Sequence, residues 1–335
     1  MKIEPQSLKT FADLSLAMAT PPGIVVVGSM NMDLVARMQR LPRPGETVTG
    51  ESFVTVPGGK GANQAVASAR LGARVTMVAR VGSDDFGAIL RQNLISDGIN
   101  TDYVFVTQEC SSGVALIGVE STGANSITVI PGANGRLSVD DVNACREIIE
   151  SADALVVQLE SPIETIAAAV QIAKDADVLT ILDPAPAPSS SQGLPMGLIS
   201  VDVISPNQTE AEVLTGICVT DWDSARMAAL ELRRRGASHV VIKLGELGAL
   251  ALHKDGTILE IAATPVPVVD TTAAGDAFTA ALAVALCQRC SLQEATHWGV
   301  LAGTLACTRF GAQPAMPTWA EFETFMGRTL TRPQS

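Results

Sequence analysis

Apolar positions along this chain follow two rhythms that take turns. The run "GIVVVGSMNMDLV" is continuous, β-branched and closed by a small-residue turn, as expected of one strand buried on both faces of a parallel sheet. "ANQAVASARLGA" then spaces its apolar residues as a helix does, with Gly72 placed to end it. "RVTMVARVG" is strand-like, "FGAILRQNLISDGI" helical, and "YVFVT" extended again. The alternation continues through "DALVVQL", "PIETIAAAVQIAKDA", "VLTILDPAPA", "VDVISPNQTEAEVLTG", "SARMAALELRRRGA" and "HVVIKLG". Strands separated by helices of this length predict βαβ units, hence a doubly wound α/β fold with a mostly parallel sheet flanked by helices.

Two stretches break the rhythm. "RMQRLPRPGETVTGESFVTV" and "SSGVALIGVESTGANSITVI" read as short alternating strands joined by Gly, Pro and Asn turns, with no helix between them. They predict a small β lid, residues 36–56 and 111–132, inserted in a core of residues 23–35, 57–110 and 133–330. Ligands in open α/β sheets bind outside the carboxyl ends of the strands, where such a lid would close.

Composition narrows the function. With 335 residues, 47% hydrophobic and 17% charged, the chain can bury a large core. A net charge of −12 argues against nucleic acid, whose binding rests on basic residues. The first 22 residues lack the sustained apolar core of a secretory signal and read as a frayed extension. "AFTAALAVALC" is too short for a bilayer, which needs about 20 apolar residues, so the expected compartment is the cytoplasm. The six scattered cysteines read as thiols, and the Cys287/Cys290 spacing lacks the second ligand pair of a structural zinc site.

Four constellations carry candidate chemistry. In "PGGKGANQAVA", Gly58, Gly59 and Gly61 let backbone approach a ligand, and Asn63 both donates and accepts. The stretch is either a tight connection or, with Asn31 and Asp33 nearby, part of a polyol site. Asp33 itself reads equally as a strand-end cap. Glu160 in "QLESP" either partners a helix beginning near Pro162 or projects into the crevice. Asn207 and Glu210 in "SPNQTEAEVLTG" have the spacing of a helix cap, or of a pair near phosphate and hydrated magnesium. In "DTTAAGDAF" a helix starts near Ala273 or Ala274, so free amides there form an anion site that Gly275 leaves open. Asp276 follows the glycine instead of opening the turn, which suits a proton acceptor beside that anion hole.

Taken in order, "GSMNMD", "PGETVTG", "GGKGANQAVA", "QLESP", "DPAPA", "NQTEAEVLTG", "KLGELGA", "DTTAAGDAF" and "TRFGAQPAMP" resemble the ribokinase-like (PfkB) carbohydrate kinases from Ile24 to Pro317. The resemblance implies ATP-dependent phosphorylation of a sugar's primary hydroxyl, O5 in the case of D-ribose. Deoxyribose, fructose or a nucleoside as substrate, or a catalytically idle sugar-binding relative, are the alternatives. Asp276 matches the base, with Ala273, Ala274 and Gly275 at its anion hole, and Asn31, Asp33, Gly59, Lys60, Asn63 and Glu160 match the sugar site. Asn207 and Glu210 match positions near phosphate and Mg2+, while Lys243, Gly245 and Gly248 fall in the ATP strand-loop.

The resemblance further implies a homodimer through the lid and activation by K+. Asp270, Thr272, Ala306, Arg309 and Gly311 match the potassium site. The chain departs from the family at Ala315, where a serine hydroxyl is common, and at Asp183, where asparagine is usual. "HWGVLAGTLAC" also lacks an asparagine that often contacts adenine.

Overall fold

A computed structural model describes residues 20–188 and 193–330; most of the expected amino-terminal extension, residues 1–19, lies outside the described residues. The chain opens with β1 (Gly23–Val27), β2 (Asn31–Met38), β3 (Gly50–Gly58), α1 (Lys60–Arg70), β4 (Arg74–Gly82), α2 (Asp85–Ser96) and β5 (Asn100–Thr107). Next come β6 (Gly113–Glu120), β7 (Asn125–Ile130), α3 (Val139–Ala144), α4 (Arg146–Glu150), β8 (Ala154–Val157), α5 (Ile163–Asp175), β9 (Leu179–Leu182) and α6 (Met196–Ile199). The remainder is β10 (Val203–Ile204), α7 (Gln208–Thr215), α8 (Trp222–Arg234), β11 (His239–Lys243), β12 (Gly248–Leu252), β13 (Ile258–Ala262), α9 (Ala274–Cys287), α10 (Leu292–Ala306) and α11 (Trp319–Leu330).

A nine-stranded sheet runs in the order β13-β12-β11-β10-β9-β8-β1-β4-β5. From β11 to β5 all neighbours are parallel, and β12 and β13 add an antiparallel edge. Successive residues of a strand face opposite ways, and the core divides accordingly. Val26 and Val156 join one apolar layer with Val66 of α1, Leu282 of α9 and Leu301 of α10. Val25 and Leu155 join the other, with Ile166 of α5 and Leu232 of α8. Helices thus cover both faces, as the parallel strands require.

The second sheet is four-stranded, β3-β2-β6-β7. It departs from the sequence expectation in one respect: "GIVVVGSMNMDLV" is two strands in two sheets. β1 ends at Val27 and β2 begins at Asn31, paired to β3 and β6. The break falls where side chains have no room. A Cβ on Gly28 would lie 2.1 Å from Gln158 Oε1, and one on Gly61 would lie 2.6 Å from the Ser29 amide nitrogen. Apolar periodicity marks both halves as strand and carries no information about which sheet each joins.

Helix starts differ in how they are capped. Ser138, Asn207, Asp221 and Ser291 close reciprocal capping boxes on α3, α7, α8 and α10. By contrast α1 starts at Gly59 (φ 89°) and α9 at Ala273 (φ 57°), neither with a side-chain cap. These two uncapped ends flank the candidate site.

Candidate active site

The site lies where β1, β8, β9 and β11 reach their carboxyl ends beneath α1 and α9. Asp276 sits in the first turn of α9, only 5% exposed. Its Oδ2 accepts from Asn63 Nδ2 at 2.9 Å and its Oδ1 from Gln64 Nε2 at 3.0 Å, both donors on α1. Burial pushes the Asp276 carboxyl up to about 6; the Lys60 ammonium opposes that shift and the Asp183 charge adds to it. The result is a carboxylate poised near neutrality, as general-base work favours.

The anion site is built from main chain. The Ala274 amide makes a long bond, 3.3 Å, to the Thr271 carbonyl. Gly275 and Asp276 follow in the first turn, where helix geometry supplies no acceptor for their amides. A Cβ on Gly275 would lie 3.6 Å from Lys243 Nζ, so the ammonium stands beside this mouth. Ala273 occupies the left-handed region, a strained conformation for a residue with a Cβ.

On the side of the second sheet, Glu160 accepts from Ser29 Oγ (2.5 Å), the Lys60 amide (3.2 Å) and Asn31 Nδ2 (3.4 Å). It therefore partners the start of α1, not the segment at Pro162. Asp33 is 9% exposed and lies against Gly58. Burial, then the Glu160 and Asp276 charges, push its carboxyl up to about 7. Burial opposes the charge on Lys60, but Asp276, Glu160, Asp183 and Glu210 outweigh it and push the ammonium's pKa up. Gly59 abuts Met30 and Asn31, whose Oδ1 accepts from Asn134 Nδ2 at 2.7 Å.

On the opposite side, Asn207 and Glu210 form the capping box of α7: Asn207 N donates to Glu210 Oε2 (2.8 Å), Asn207 Nδ2 to Oε1 (2.9 Å), and Glu210 N to Asn207 Oδ1 (2.8 Å). Burial raises the Glu210 carboxyl while Lys243 opposes it. Asn207 bridges β11 at Lys243, and the following turn needs glycines at Gly245 (φ 58°) and Gly248 (φ 111°).

Residues 22–319 match the profile described as pfkB family carbohydrate kinase. The chain belongs to the pfkB family of carbohydrate kinases. It is 39% identical over 303 residues to a ribokinase of Haemophilus influenzae, covering 90% of this chain and 98% of the relative. It is 37% identical over 304 residues to a deoxyribokinase of Salmonella typhi, with 90% and 98% covered. The structure of Arabidopsis thaliana ribokinase complexed with ribose and ATP superposes with a TM-score of 0.83 at 32% identity, covering 92% of this chain and 99% of that one. The expected fold, family and activity as a phosphotransferase acting on a sugar hydroxyl are borne out.

Within this pfkB kinase, the residues expected at a potassium site draw two loops together. Asp270 Oδ1 accepts from the Thr272 amide (2.9 Å) and hydroxyl (2.7 Å), and Oδ2 from the Gly311 amide (2.9 Å). Burial works against the Asp270 charge, but these bonds, with Arg37, hold its carboxyl below the ordinary range. The Ala306 carbonyl accepts from the Arg309 amide at 3.2 Å, and the Arg309 side chain pairs with Glu321 at 2.7 Å. Ala315 is buried and offers no side-chain oxygen. Arg37 of β2 stacks on Phe310 at 4.8 Å, tying the second sheet to this loop.

Sequence reading missed the buried layer beneath the kinase's candidate base. Gln64, fully buried, bridges Asp276 and Asp183, and its Oε1 accepts from Gln158 Nε2 at 2.6 Å. A glutamine on the apolar face of an Ala-rich helix was the available signal.

Proposed function

We propose that this kinase transfers the γ-phosphoryl group of ATP to the 5-hydroxyl of D-ribose. One observation carries the reading: a buried carboxylate, held by two α1 amides, stands at the uncapped mouth of α9 with a lysine beside it. Asp33, Asn31, Asn63, Lys60 and Glu160, with Gly59 close to the backbone, hold the sugar. Asn63 Oδ1 supports this, because it is buried without a hydrogen-bond partner among the described residues. Asn207, Lys243, Gly245 and Gly248 hold ATP.

In the reaction, Asp276 accepts the 5-hydroxyl proton as that oxygen bonds to the γ-phosphorus and the bond to the ADP oxygen breaks. The amides of the first turn, Ala273 to Gly275 and onward, stabilise the charge that develops. Glu210 keeps free lone pairs on both oxygens, so it fits a hydrated magnesium ion reached through water. Magnesium, when bound, neutralises charge on the phosphates. One carboxylate and the carbonyls of two clamped loops fit a weakly held monovalent cation such as K+, with Asp270, Thr272, Ala306, Arg309 and Gly311 around it.

Register places Asp33, Val35, Ala115, Ile117, Ile127 and Val129 on one face of the second sheet. Ile127 and Val129 are exposed there, which supports a lid of residues 36–56 and 111–132 that pairs two chains as a homodimer. Among the described residues no helix is long and apolar enough to cross a membrane. ATP as substrate and six cysteines without a disulfide support a cytoplasmic setting.

The test separates binding from turnover. Asp276→Asn is expected to bind ribose within a few-fold of the parent by calorimetry while kcat falls about 10²–10⁴-fold. The parent's kcat is expected to decline as pH falls through about 6, where Asp276 takes up a proton. Near-normal turnover by Asp276→Asn removes the base assignment. Because ribokinase and deoxyribokinase relatives stand at similar identity, kcat/KM for ribose against 2-deoxyribose decides the sugar.

A further inference from the structure

Asp183 lies one residue past β9 and is 1% exposed, so its carboxylate oxygens must find partners inside the protein. Three donors converge on it. Lys243 Nζ reaches Oδ1 at 2.9 Å, while Gln64 Nε2 and Thr279 Oγ1 each reach Oδ2 at 3.0 Å. The Gln64 nitrogen also donates to Asp276 Oδ1 at 3.0 Å. Its orientation is set from behind, because the Gln64 carbonyl accepts from Gln158.

The partners of this chain suit a carboxylate here. A carboxylate accepts on both oxygens, whereas an asparagine in the same place would turn its NH2 toward either Lys243 or Gln64, both of which only donate on that side. Lys243 has a second duty, since its ammonium stands beside Gly275 at the mouth of α9. Thr279 lies one turn further along α9 from Asp276, so Asp183 touches the helix that carries the candidate base and the strand that carries the lysine.

We propose that Asp183 is a positioning residue: it anchors Lys243 beside the anion site and, through the shared Gln64 amide, holds the Asp276 carboxylate in register with that lysine. The proposal rests on the reading of Asp276 as base. The charged groups that bear on Asp276 are Lys60 of α1, Asp33 of β2 and Asp183 itself. Glu160, Glu210 and Lys243 complete the charged surround through Lys60 and Asp183. Removing the Asp183 charge takes away a like charge and loosens a cation at once.

Asp183→Asn tests this in the full-length enzyme. The KM for ATP is expected to rise about tenfold with ribose KM changed less than threefold, and the acidic limb of kcat to move down by about 1 pH unit. Unchanged ATP KM together with an unmoved limb overturns the proposal. Gln64→Met is the second variant, useful if Asp183→Asn fails to fold. It removes a hydrogen bond that favours ionised Asp276 but keeps the Asp183–Lys243 pair, so the limb is expected to move up while ATP KM stays near the parent value. A limb that does not move there also overturns the proposal. Normal turnover by Asp276→Asn would instead sink the base assignment, whereas an inactive Asp276→Asn beside an unaffected Asp183→Asn sinks only the role of Asp183.

Discussion

Asp33 and Asp276 show how two aspartates of the same ordinary acidity come to differ from it in the same direction. Each is buried, and each feels other carboxylates, Asp33 those of Glu160 and Asp276 and Asp276 that of Asp183. For Asp33 the folded state favours the protonated acid, with its pKa pushed up to about 7 from 3.8. The sign follows: ionisation costs stability, the cost grows as pH rises through that window, and it is absent below the unfolded value. Asp33→Asn is therefore expected to stabilise the sugar-free protein at pH 8 by on the order of 2 kcal/mol, several degrees in Tm, with the gain shrinking as pH falls and gone below about pH 3.8. Equal or lower Tm at pH 8 contradicts this account. Asp276 was readable from its place after Gly275 at a helix start, because capping chemistry is local. The raised pKa of Asp33 was not readable, because it depends on burial in the fold and on Glu160 and Asp276 arriving from distant segments.

Among the elements, α1 does the most to shape the site. Its N-cap glycine has no side chain, its first amide donates to the distant Glu160 carboxylate instead, and its next residues aim Asn63 and Gln64 at α9. Gly61 lets this end press on the turn between β1 and β2. A methyl there would meet backbone, 2.6 Å from Ser29 N and 2.7 Å from the Gly28 carbonyl carbon, with no flexible side chain to yield. Gly61→Ala is expected to destabilise the fold by about 1–3 kcal/mol, seen as a lower urea midpoint, and to weaken ribose binding because Asn63 shifts with the helix. An unchanged midpoint would show that the turn adjusts freely. The glycine-rich stretch was visible in the sequence as either a tight connection or a ligand approach; in the structure Gly61 packs tightly on that turn and Asn63 reaches Asp276.

For the whole molecule, the second sheet presents an apolar surface. Its Asp33-bearing face exposes Ile127 at 54% and Val129 at 45%, apolar area that a monomer would leave in water. Ile127→Asp with Val129→Asp is expected to shift sedimentation toward the monomer and raise the ribose KM while leaving Tm within a few degrees. A dimer that persists in this double variant removes the lid face as the interface. The break in rhythm at the two insertions foretold a helix-free unit, yet the sheet's strands reach back to Asn31 and on to Gly58, into segments that read as core. Strand β2 and the loop that follows α10 also meet, Arg37 on Phe310, although nothing in either segment announces the other.

Periodicity, turn chemistry and capping act over a few residues, so the chain alone disclosed the alternating α/β order, the inserted hairpins and the acid at the mouth of α9. Packing alone could bring Gln64 to Asp183 across 119 positions and to Asp276 across 212, or send two halves of one apolar run into separate sheets. Burial and charge coupling arise only when remote segments close on one another, which is why the acidities of this site belong to the folded molecule.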